Sequence, residues 1–499
     1  RAAGRNGDDD ALGPKPVRSS ATAMTMPRLS LLAAALSASA AEAATSTAFS
    51  FPAVSSADRP IVAAFLLPGA PSPSLGRSRH STATAIGAEP FVDRVRIDED
   101  APRDVSAMEE WAAACGVQRS EGFQLTGEYL DEGGGHLDVS AMTTSDVAAG
   151  ETVLYVPSEA ILSSDRAMEE FGGSLGEAED LVIRNGASDF VRHYYLMIKV
   201  LCEWERGDES PWYAYLNSLP RYFSNAASMT PFCYKCVPPL VASLSKKERA
   251  TMNHLSVKRV PFLTDETKGN ADLWRWAFQV VFTRSFEAND GSGDLRVVPL
   301  ADMFNHGTET EIELAYDELG NCYATAMRDV PAGSPLRMSY GDPTNPSFLF
   351  ARYGFLDETS PATFCKWTPS HVTDELRDMG YAHDRMLFYR ETGDVSEEVW
   401  DVLLYHVLGE SGAPELQGEL HRAHMSDDYE TKQSLHEQYY PQTSAKLLEH
   451  IDTFLDRLDE LSAKTHGRDV TDHPRLPLIL RHNEFVRETF SAVRSRHFE

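Results

Sequence analysis

The sequence predicts an α+β protein with more than one folded unit. Its 499 residues, 42% of them hydrophobic, can form more than one core, because single cores stop growing at roughly 250–300 residues. A short apolar run bounded by turn residues at 153–157 indicates a strand. Apolar residues at helical spacing over 190–204 and 447–461 indicate amphipathic helices.

The folded part is expected to begin at 105–115, where apolar residues lie on one face of a short helix. A turn at Gly150 then leads into the apolar strand that ends at Pro157. Helical spacing follows over 190–204 and again over 273–286. The central part of the chain is therefore predicted to be helical between strands.

The character of the sequence changes after Pro369, where helices with acidic faces are predicted. The clearest apolar stripe covers 447–461, and 399–408 and 478–493 also have helical spacing. An apolar stripe by itself shows only that the helix packs against another part of the protein or against a partner.

The formal net charge of −29 argues against nonspecific binding to nucleic acid or to an anionic membrane, because both carry the same sign. A negative charge of this size would attract basic peptide segments, but it does not identify a substrate. We expect a monomer with no nucleic-acid and no membrane partner.

Six cysteines in a chain of this length do not form the dense disulfide framework of a small secreted domain. The low cysteine content is more typical of a protein in a reducing compartment than of a secreted one. Cys233 and Cys236 form a single CxxC, and a structural zinc ion needs four ligands, so we interpret them as loop and core cysteines. No metal site is predicted.

The amino-terminal region is interpreted as a targeting presequence and disordered linker over residues 1–100. The apolar run at 29–36 has the form of a secretory signal and is too short to span a bilayer. Beyond it, 48–52 resembles the phenylalanine-containing motif of two-part plastid presequences, and a Ser-, Thr- and Ala-rich stretch with almost no acid follows. We expect a plastid (chloroplast) protein. The alternatives are a cytoplasmic protein and a disordered alanine-rich tail.

Three blocks carry the strongest functional signal. The run 298–307 places Asn305 and His306 behind apolar residues, 338–341 reads Met-Ser-Tyr-Gly, and 352–355 reads Arg-Tyr-Gly-Phe. Together they resemble the cofactor and catalytic segments of the SET-domain protein methyltransferases, in the branch typified by Rubisco large-subunit lysine methyltransferase. The segment 210–220 also resembles part of the helical insertion of that branch.

The resemblance implies S-adenosyl-L-methionine as cofactor and a knot-like loop that binds it. Asn305 and the backbone of His306 would contact the adenine, since a side-chain amide can donate and accept. Asp302 matches an acidic position beside the cofactor. Arg284 is the matching candidate for the cofactor carboxylate.

The resemblance also assigns the aromatic residues. Tyr353 would point its hydroxyl at the transferring methyl group and align the amine, and Tyr340 would line the same channel. Phe355 would pack against the cofactor. A phenol with a pKa near 10 stays protonated at neutral pH, so neither tyrosine is expected to act as a phenolate base. Taken singly, either tyrosine is better explained as a strand-end core residue with a satisfied hydroxyl, and only the combination of blocks favours the functional assignment.

The implied domains are a SET domain at 101–360, whose mostly-β core is interrupted by a helical insertion at about 165–285, and an all-helical substrate-binding domain at 361–499. One part of the pattern is missing. Family members open the core with a Gly-x-Gly turn close to the cofactor, whereas this chain has Asp138 and Ser140 at those positions. Glycine permits the closest backbone approach, and Gly133 to Gly135 lie just upstream.

The function expected from the resemblance is protein-lysine N-methylation of a non-histone protein, with a lysine side chain as acceptor. One alternative is protein-histidine methylation, although family members with that activity lack the tyrosine found here at 353. A second alternative, motivated by the missing Gly-x-Gly, is a SET-fold protein that binds a peptide without methylating it.

Overall fold

The structure is a computed structural model that describes residues 92–129, 136–364, 373–381 and 385–499. The segment interpreted as a presequence lies almost entirely outside the described residues, as does the glycine run at 133–135. Among the described residues, no helix combines the length and the apolar character that crossing a membrane requires.

Helices dominate the chain. They lie at α1 Val105–Ala114, α2 Ser164–Arg184, α3 Val191–Arg206, α4 Tyr213–Ser218, α5 Pro239–His254, α6 Asp265–Gly269, α7 Ala271–Arg284, α8 Pro346–Tyr353, α9 Asp374–Asp378, α10 Glu397–Glu410, α11 Pro414–Met425, α12 Tyr429–Ala463 and α13 Leu476–Phe498. The helices predicted near 105, 190, 273, 399, 447 and 478 are all present.

The strands are short. They lie at β1 Gln118–Arg119, β2 Phe123–Tyr129, β3 Leu137–Thr143, β4 Thr152–Val156, β5 Leu162–Ser163, β6 Ser285–Glu287, β7 Leu295–Val297, β8 Asn305–His306, β9 Ile312–Tyr316, β10 Cys322–Ala326, β11 Arg337–Met338, β12 Ala362–Phe364 and β13 Leu387–Tyr389. The strand predicted at 153–157 is β4.

The strands form several small sheets. One has the order β1-β4-β10-β9, another has the order β5-β7-β6, and β2 pairs with β3, β8 with β11 and β12 with β13. All these pairs are antiparallel except β8 with β11, which is parallel. Because parallel neighbours need a long connection, β11 reaches β8 only after the chain has formed β9 and β10.

Helices α2 to α7 occupy the sequence between β5 and β6. Side chains cap the first and last of these helices: Ser163 accepts a hydrogen bond from the backbone of Arg166, and Asn270 accepts one from Leu273. Apolar residues of α2, α3 and α7 are buried in the same core as the strands β2 to β5. The helical insertion and the strands therefore share one hydrophobic core.

A second core joins α10, α12 and α13, where Leu403, Ile451 and Phe490 are fully buried. A third, smaller cluster brings Val241 of α5 together with Phe350 of α8 and Ile479 of α13. The carboxy-terminal helices thus pack on the insertion as well as on one another.

The predicted α+β class, with strands, inserted helices and a helical carboxy-terminal part, is confirmed. The domain boundaries at 100 and 360 stay predictions.

Candidate functional site

The segment 298–307 turns sharply before it enters the candidate site. Leu300 has φ +69° and ψ −40°, a conformation that non-glycine residues rarely adopt, and its side chain is buried. A single 3-10 turn over Ala301–Met303 follows, and β8 comes next. The bend directs Asp302 and the Asn305–His306 pair into the interior.

The pairing of β8 with β11 brings two of the predicted blocks together. Asn305 lies beside Arg337 and His306 beside Met338, so the block that contains Tyr340 begins next to the Asn-His pair. The amide of Tyr340 then donates to Nδ1 of His306 over 3.0 Å. This pairing places the two blocks side by side, and the knot-like loop stays a prediction.

Four rings, which we call the aromatic cluster, gather at this point: those of His306, Tyr340, Tyr353 and Phe355. The ring centres of Tyr340 and Tyr353 lie 4.9 Å apart. The ring of His306 lies 5.6 Å from both Tyr340 and Phe355, and Phe355 lies 6.2 Å from Tyr353. The turn that contains Tyr353 and Phe355 therefore lies against the loop that contains Asn305 and His306.

Both tyrosine hydroxyls of the aromatic cluster donate to backbone carbonyls. Tyr340 donates to Phe304 over 2.6 Å, and Tyr353 makes a longer contact of 3.4 Å to the carbonyl of Tyr340. Burial raises the pKa of both phenols. Each side chain is thus protonated at neutral pH, and each hydroxyl oxygen keeps lone pairs that can accept a hydrogen bond.

Helix α8 and the turn after it hold Tyr353 in place. Asn345 caps the start of α8 by accepting a hydrogen bond from the amide of Phe348 over 3.1 Å. Gly354 ends the helix at φ +83°, and a Cβ at this position would lie 2.4 Å from the amide nitrogen of Asn225. Only glycine allows the turn to approach the insertion this closely.

The insertion also fixes Arg352, the residue before Tyr353. Nη2 of Arg352 lies 2.8 Å from Oε1 of Glu248 on α5, and both side chains are buried. The guanidinium lies over Phe282 at 5.3 Å. In addition, Asn225 donates to the carbonyl of Arg352 over 3.1 Å. Sequence reasoning identified neither Glu248 nor Asn225, because neither lies in a motif.

Beside the aromatic cluster lies a second group, the polar cluster, formed by Arg103, Tyr215, Arg284 and Asp302. Oδ2 of Asp302 accepts from Nη1 of Arg284 over 2.9 Å and from the hydroxyl of Tyr215 over 3.0 Å. Burial by itself would lower the pKa of Arg284. Attraction to the Asp302 carboxylate is the stronger effect, so the pKa of Arg284 is raised. The two predicted residues are therefore brought together as an ion pair.

Arg103 is the member of the polar cluster that sequence reasoning missed. Its guanidinium donates to the carbonyls of Leu137 and Ser218, each over 2.7 Å. Burial, and then repulsion from Arg284, lower the pKa of Arg103 to about 9. Arg103 lies 181 residues before Arg284 in no recognisable pattern, so only the fold could associate them.

The polar cluster has the chemistry of a site for an amino-acid group. Within the described part of the chain, Nε of Arg284 and Oδ1 of Asp302 are buried and make no hydrogen bond. Two arginines facing each other favour a carboxylate, and a free carboxylate oxygen favours an ammonium. The methionine end of S-adenosyl-L-methionine carries both groups, so these residues fit it.

The position of the missing Gly-x-Gly is occupied by strand β3. Asp138 pairs with Glu128 of β2, and its Oδ2 lies 3.3 Å from Nδ2 of Asn305. The amide that was predicted to meet the adenine therefore contacts a carboxylate of the same chain. A nucleoside would compete with that contact.

The side chain of His306 has a structural role, because it contacts both Tyr340 and Asp357. Because Nδ1 accepts from Tyr340, Nε2 carries the proton, and it lies 3.4 Å from Oδ2 of Asp357. Burial alone would raise the pKa of Asp357, but hydrogen bonds from His306, Thr359 and Thr308 outweigh it and hold that pKa well below its usual range. Among the described residues, no group of three His, Cys, Asp or Glu side chains could hold a metal ion.

Comparisons with known proteins were made in sequence and in structure. No protein-family model matches the chain. The chain is 24% identical over 272 residues to the actin-histidine N-methyltransferase of Danio rerio, covering 51% of this chain and 43% of that protein. It is 26% identical over 194 residues to SET domain-containing protein 4 of Artemia parthenogenetica, covering 36% and 48%. The chain thus spans less than half the length of these relatives.

In structure, the chain is similar to the SET domain of LSMT in a crystal structure with lysine and AdoHcy. The TM-score is 0.54 at 15% sequence identity, covering 79% of this chain and 91% of that one. The chain has the SET fold, and the predicted resemblance to the Rubisco LSMT branch is confirmed at the level of the fold.

Proposed function

We propose that this SET-fold chain is a protein methyltransferase that uses S-adenosyl-L-methionine and modifies a lysine side chain of a non-histone protein. The observation that carries the proposal is the convergence of the Asn305–His306 loop and the Tyr353 turn on one aromatic cluster. The adjacent polar cluster fits the charged end of the cofactor, through Arg103, Arg284 and Asp302.

When bound, the cofactor supplies an electrophilic methyl group. For an in-line transfer to a lysine nitrogen, which would break the bond from sulfur to the methyl group and release S-adenosyl-L-homocysteine, the residues of this chain would have to align the amine and exclude water. Burial of the lysine in the site would disfavour its ammonium form, because the charge loses its hydration there, and would help the amine to lose its proton to solvent. The hydroxyl oxygens of Tyr340 and Tyr353 can accept hydrogen bonds from the amine and orient its lone pair.

Two observations support lysine as the acceptor. Tyr353 is present, whereas family members that methylate histidine lack it, and its ring lies 4.9 Å from that of Tyr340. A solved structure of similar fold was also crystallised with lysine. Histidine is the second candidate, because the relative from Danio rerio is named an actin-histidine N-methyltransferase.

A third candidate is a SET-fold module that binds a peptide without methylating it. The contact between Asp138 and Asn305 favours this alternative, since it occupies the amide that would meet the adenine. Calorimetry with the purified chain and S-adenosyl-L-methionine separates the candidates. Absence of binding would favour the peptide-binding module and contradict both enzymatic candidates.

The acceptor is identified by incubating the purified chain with labelled S-adenosyl-L-methionine and a plastid extract, followed by mass spectrometry of the labelled protein. We expect methyllysine. Methylhistidine without methyllysine would contradict the proposed acceptor and support the second candidate.

The role of Tyr353 is tested by Tyr353→Phe, which removes the hydroxyl and keeps the ring. Turnover should fall roughly ten- to a hundredfold, because the amine loses one of the groups that align it, while cofactor affinity stays unchanged. Tyr429→Phe is the matched control, since Tyr429 is 65% exposed. Unchanged turnover in Tyr353→Phe would remove Tyr353 from this role.

A plastid location is proposed on the composition of residues 1–100 alone. Fusion of that segment to a fluorescent protein, expressed in cells with a secondary plastid, should direct the fluorescence there. Fluorescence that stays in the cytoplasm would contradict this part of the proposal.

A further inference from the structure

A cavity of about 490 Å³ lies between the helical insertion and the carboxy-terminal helices, away from the aromatic and polar clusters. One side is formed by residues 234–246, which include the start of α5, and the other by the end of α12. Four of the residues lining it are cations: Lys235, Lys246, Arg457 and Lys464. We call this cavity the basic cleft.

The charge of the basic cleft is not balanced locally. None of the described residues that line it is acidic. Arg457 pairs with Glu460 over 2.7 Å, but Lys235, Lys246 and Lys464 form no ion pair with any carboxylate of the described residues. In a chain with 75 acidic and 46 basic side chains, three neighbouring lysines without acidic partners are unexpected. All three lysines are exposed, so their ammonium groups are accessible to a dissolved anion.

The start of α5 adds to the positive potential. Pro238 precedes the helix and provides no side-chain cap, and Pro239 at the first position has no N–H, so the uncapped amides are those of Leu240 and Val241. Those amides and the helix dipole favour an anion at this end of a 16-residue helix. The floor of the cleft is apolar, through Val237 and Leu461.

We propose that the basic cleft binds a small soluble molecule that carries several phosphate charges on a partly apolar body. Lysines suit this ligand because the ammonium is a compact point charge that binds phosphate without a fixed geometry. The volume of the cleft lies within the usual range for small-molecule sites. The site is separate from the proposed methyl transfer and does not depend on it.

The proposal has a structural consequence. An anion in the cleft would neutralise Lys235 and Lys246 of the insertion together with Lys464 beyond α12, and would hold the two parts together. Because Lys246 lies two residues before Glu248, the ligand would also steady the helix that supports Arg352 and, through it, Tyr353.

The test uses the full chain, with inorganic tripolyphosphate as the probe, in calorimetry at low ionic strength. The cleft variant carries Lys235→Gln, Lys246→Gln and Lys464→Gln. The control variant carries Lys247→Gln, Lys258→Gln and Lys268→Gln, which removes the same charge from lysines outside the cleft. Circular dichroism and thermal melting check that each variant is folded.

We expect tripolyphosphate to bind the natural chain and to raise its melting temperature, because a ligand that binds only the folded state stabilises it. Affinity should fall at least about tenfold in the cleft variant and stay within about twofold in the control. Arginine at the three cleft positions should preserve binding, and added salt should weaken it.

Three results would overturn the proposal. One is the absence of binding to the natural chain. Another is an equal loss in the control variant, which would show nonspecific attraction to surface lysines. The third is binding of an acidic peptide such as polyglutamate but not of tripolyphosphate, which would identify the cleft as a docking surface for protein.

Discussion

The ion pair behind Tyr353 offers the sharpest test of how the insertion supports the site. Replacing Glu248 by leucine removes the carboxylate, keeps a similar volume and leaves the Arg352 cation buried without its partner. The side chains of Glu248 and Arg352 are only 11% and 10% exposed, so water can solvate the unpaired Arg352 cation only weakly. Breaking a buried pair in this way costs about 3–5 kcal/mol. We expect about 3 kcal/mol here, because the stacking of Arg352 over Phe282 persists.

Urea unfolding is monitored by tryptophan fluorescence. The loss of stability should appear as a lower midpoint urea concentration with an unchanged slope. The matched control is Glu177→Leu on α2, an exposed helical position, which should change the unfolding free energy by no more than about 0.5 kcal/mol. The double variant Glu248→Leu with Arg352→Met replaces the pair by apolar side chains. It should recover most of the stability, because no unpaired charge remains buried.

The same variant should lower turnover in a methylation assay. A shift of about 1 Å in Tyr353 is enough to reduce the rate about a hundredfold, while the polar cluster and cofactor affinity stay unchanged. A loss below about 1 kcal/mol in Glu248→Leu, or a double variant less stable than the single one, would refute the reasoning.

Three further predictions concern neighbouring parts of the site. Arg103→Met should weaken S-adenosyl-L-methionine binding about tenfold or more, because a buried cation facing the cofactor carboxylate is lost; unchanged affinity in calorimetry would exclude this role. Gly354→Ala should destabilise the fold by about 2 kcal/mol more than Gly333→Ala, since both glycines have φ near +80° but only a Cβ at 354 would meet Asn225; equal melting temperatures would contradict the close approach. Asp357 has a depressed pKa in the fold, so it stabilises above its unfolded pKa of about 3.9, and this contribution is lost as the pH falls. In Asp357→Asn the unfolding free energy should therefore fall less between pH 5 and pH 3 than in the natural chain, and parallel pH profiles would argue against the assignment.

Arg284 and Asp302 interact with each other in a way that their separate matches to the family did not predict. Both were predicted from the sequence as separate cofactor contacts, but the fold pairs them with each other. Whether Arg284 also meets the cofactor carboxylate stays a prediction. The fold adds Arg103 as a second cation, and the charge that the cluster offers to a ligand depends on all three groups.

The sequence alone determined the class of fold, the positions of the main helices and the blocks that meet at the site. Apolar spacing along the chain indicates the helices, and the blocks around Asn305, Tyr340 and Tyr353 are identified by their resemblance to the SET-domain family.

Only the tertiary structure decided which distant residues support those blocks. Glu248, Asn225 and Arg103 carry no local pattern, and they act because packing brings them within hydrogen-bond distance of residues more than a hundred positions away. The basic cleft is of the same kind, since its lysines come from segments more than two hundred residues apart. Burial and charge balance are properties of the assembled neighbourhood, and a linear pattern does not contain them.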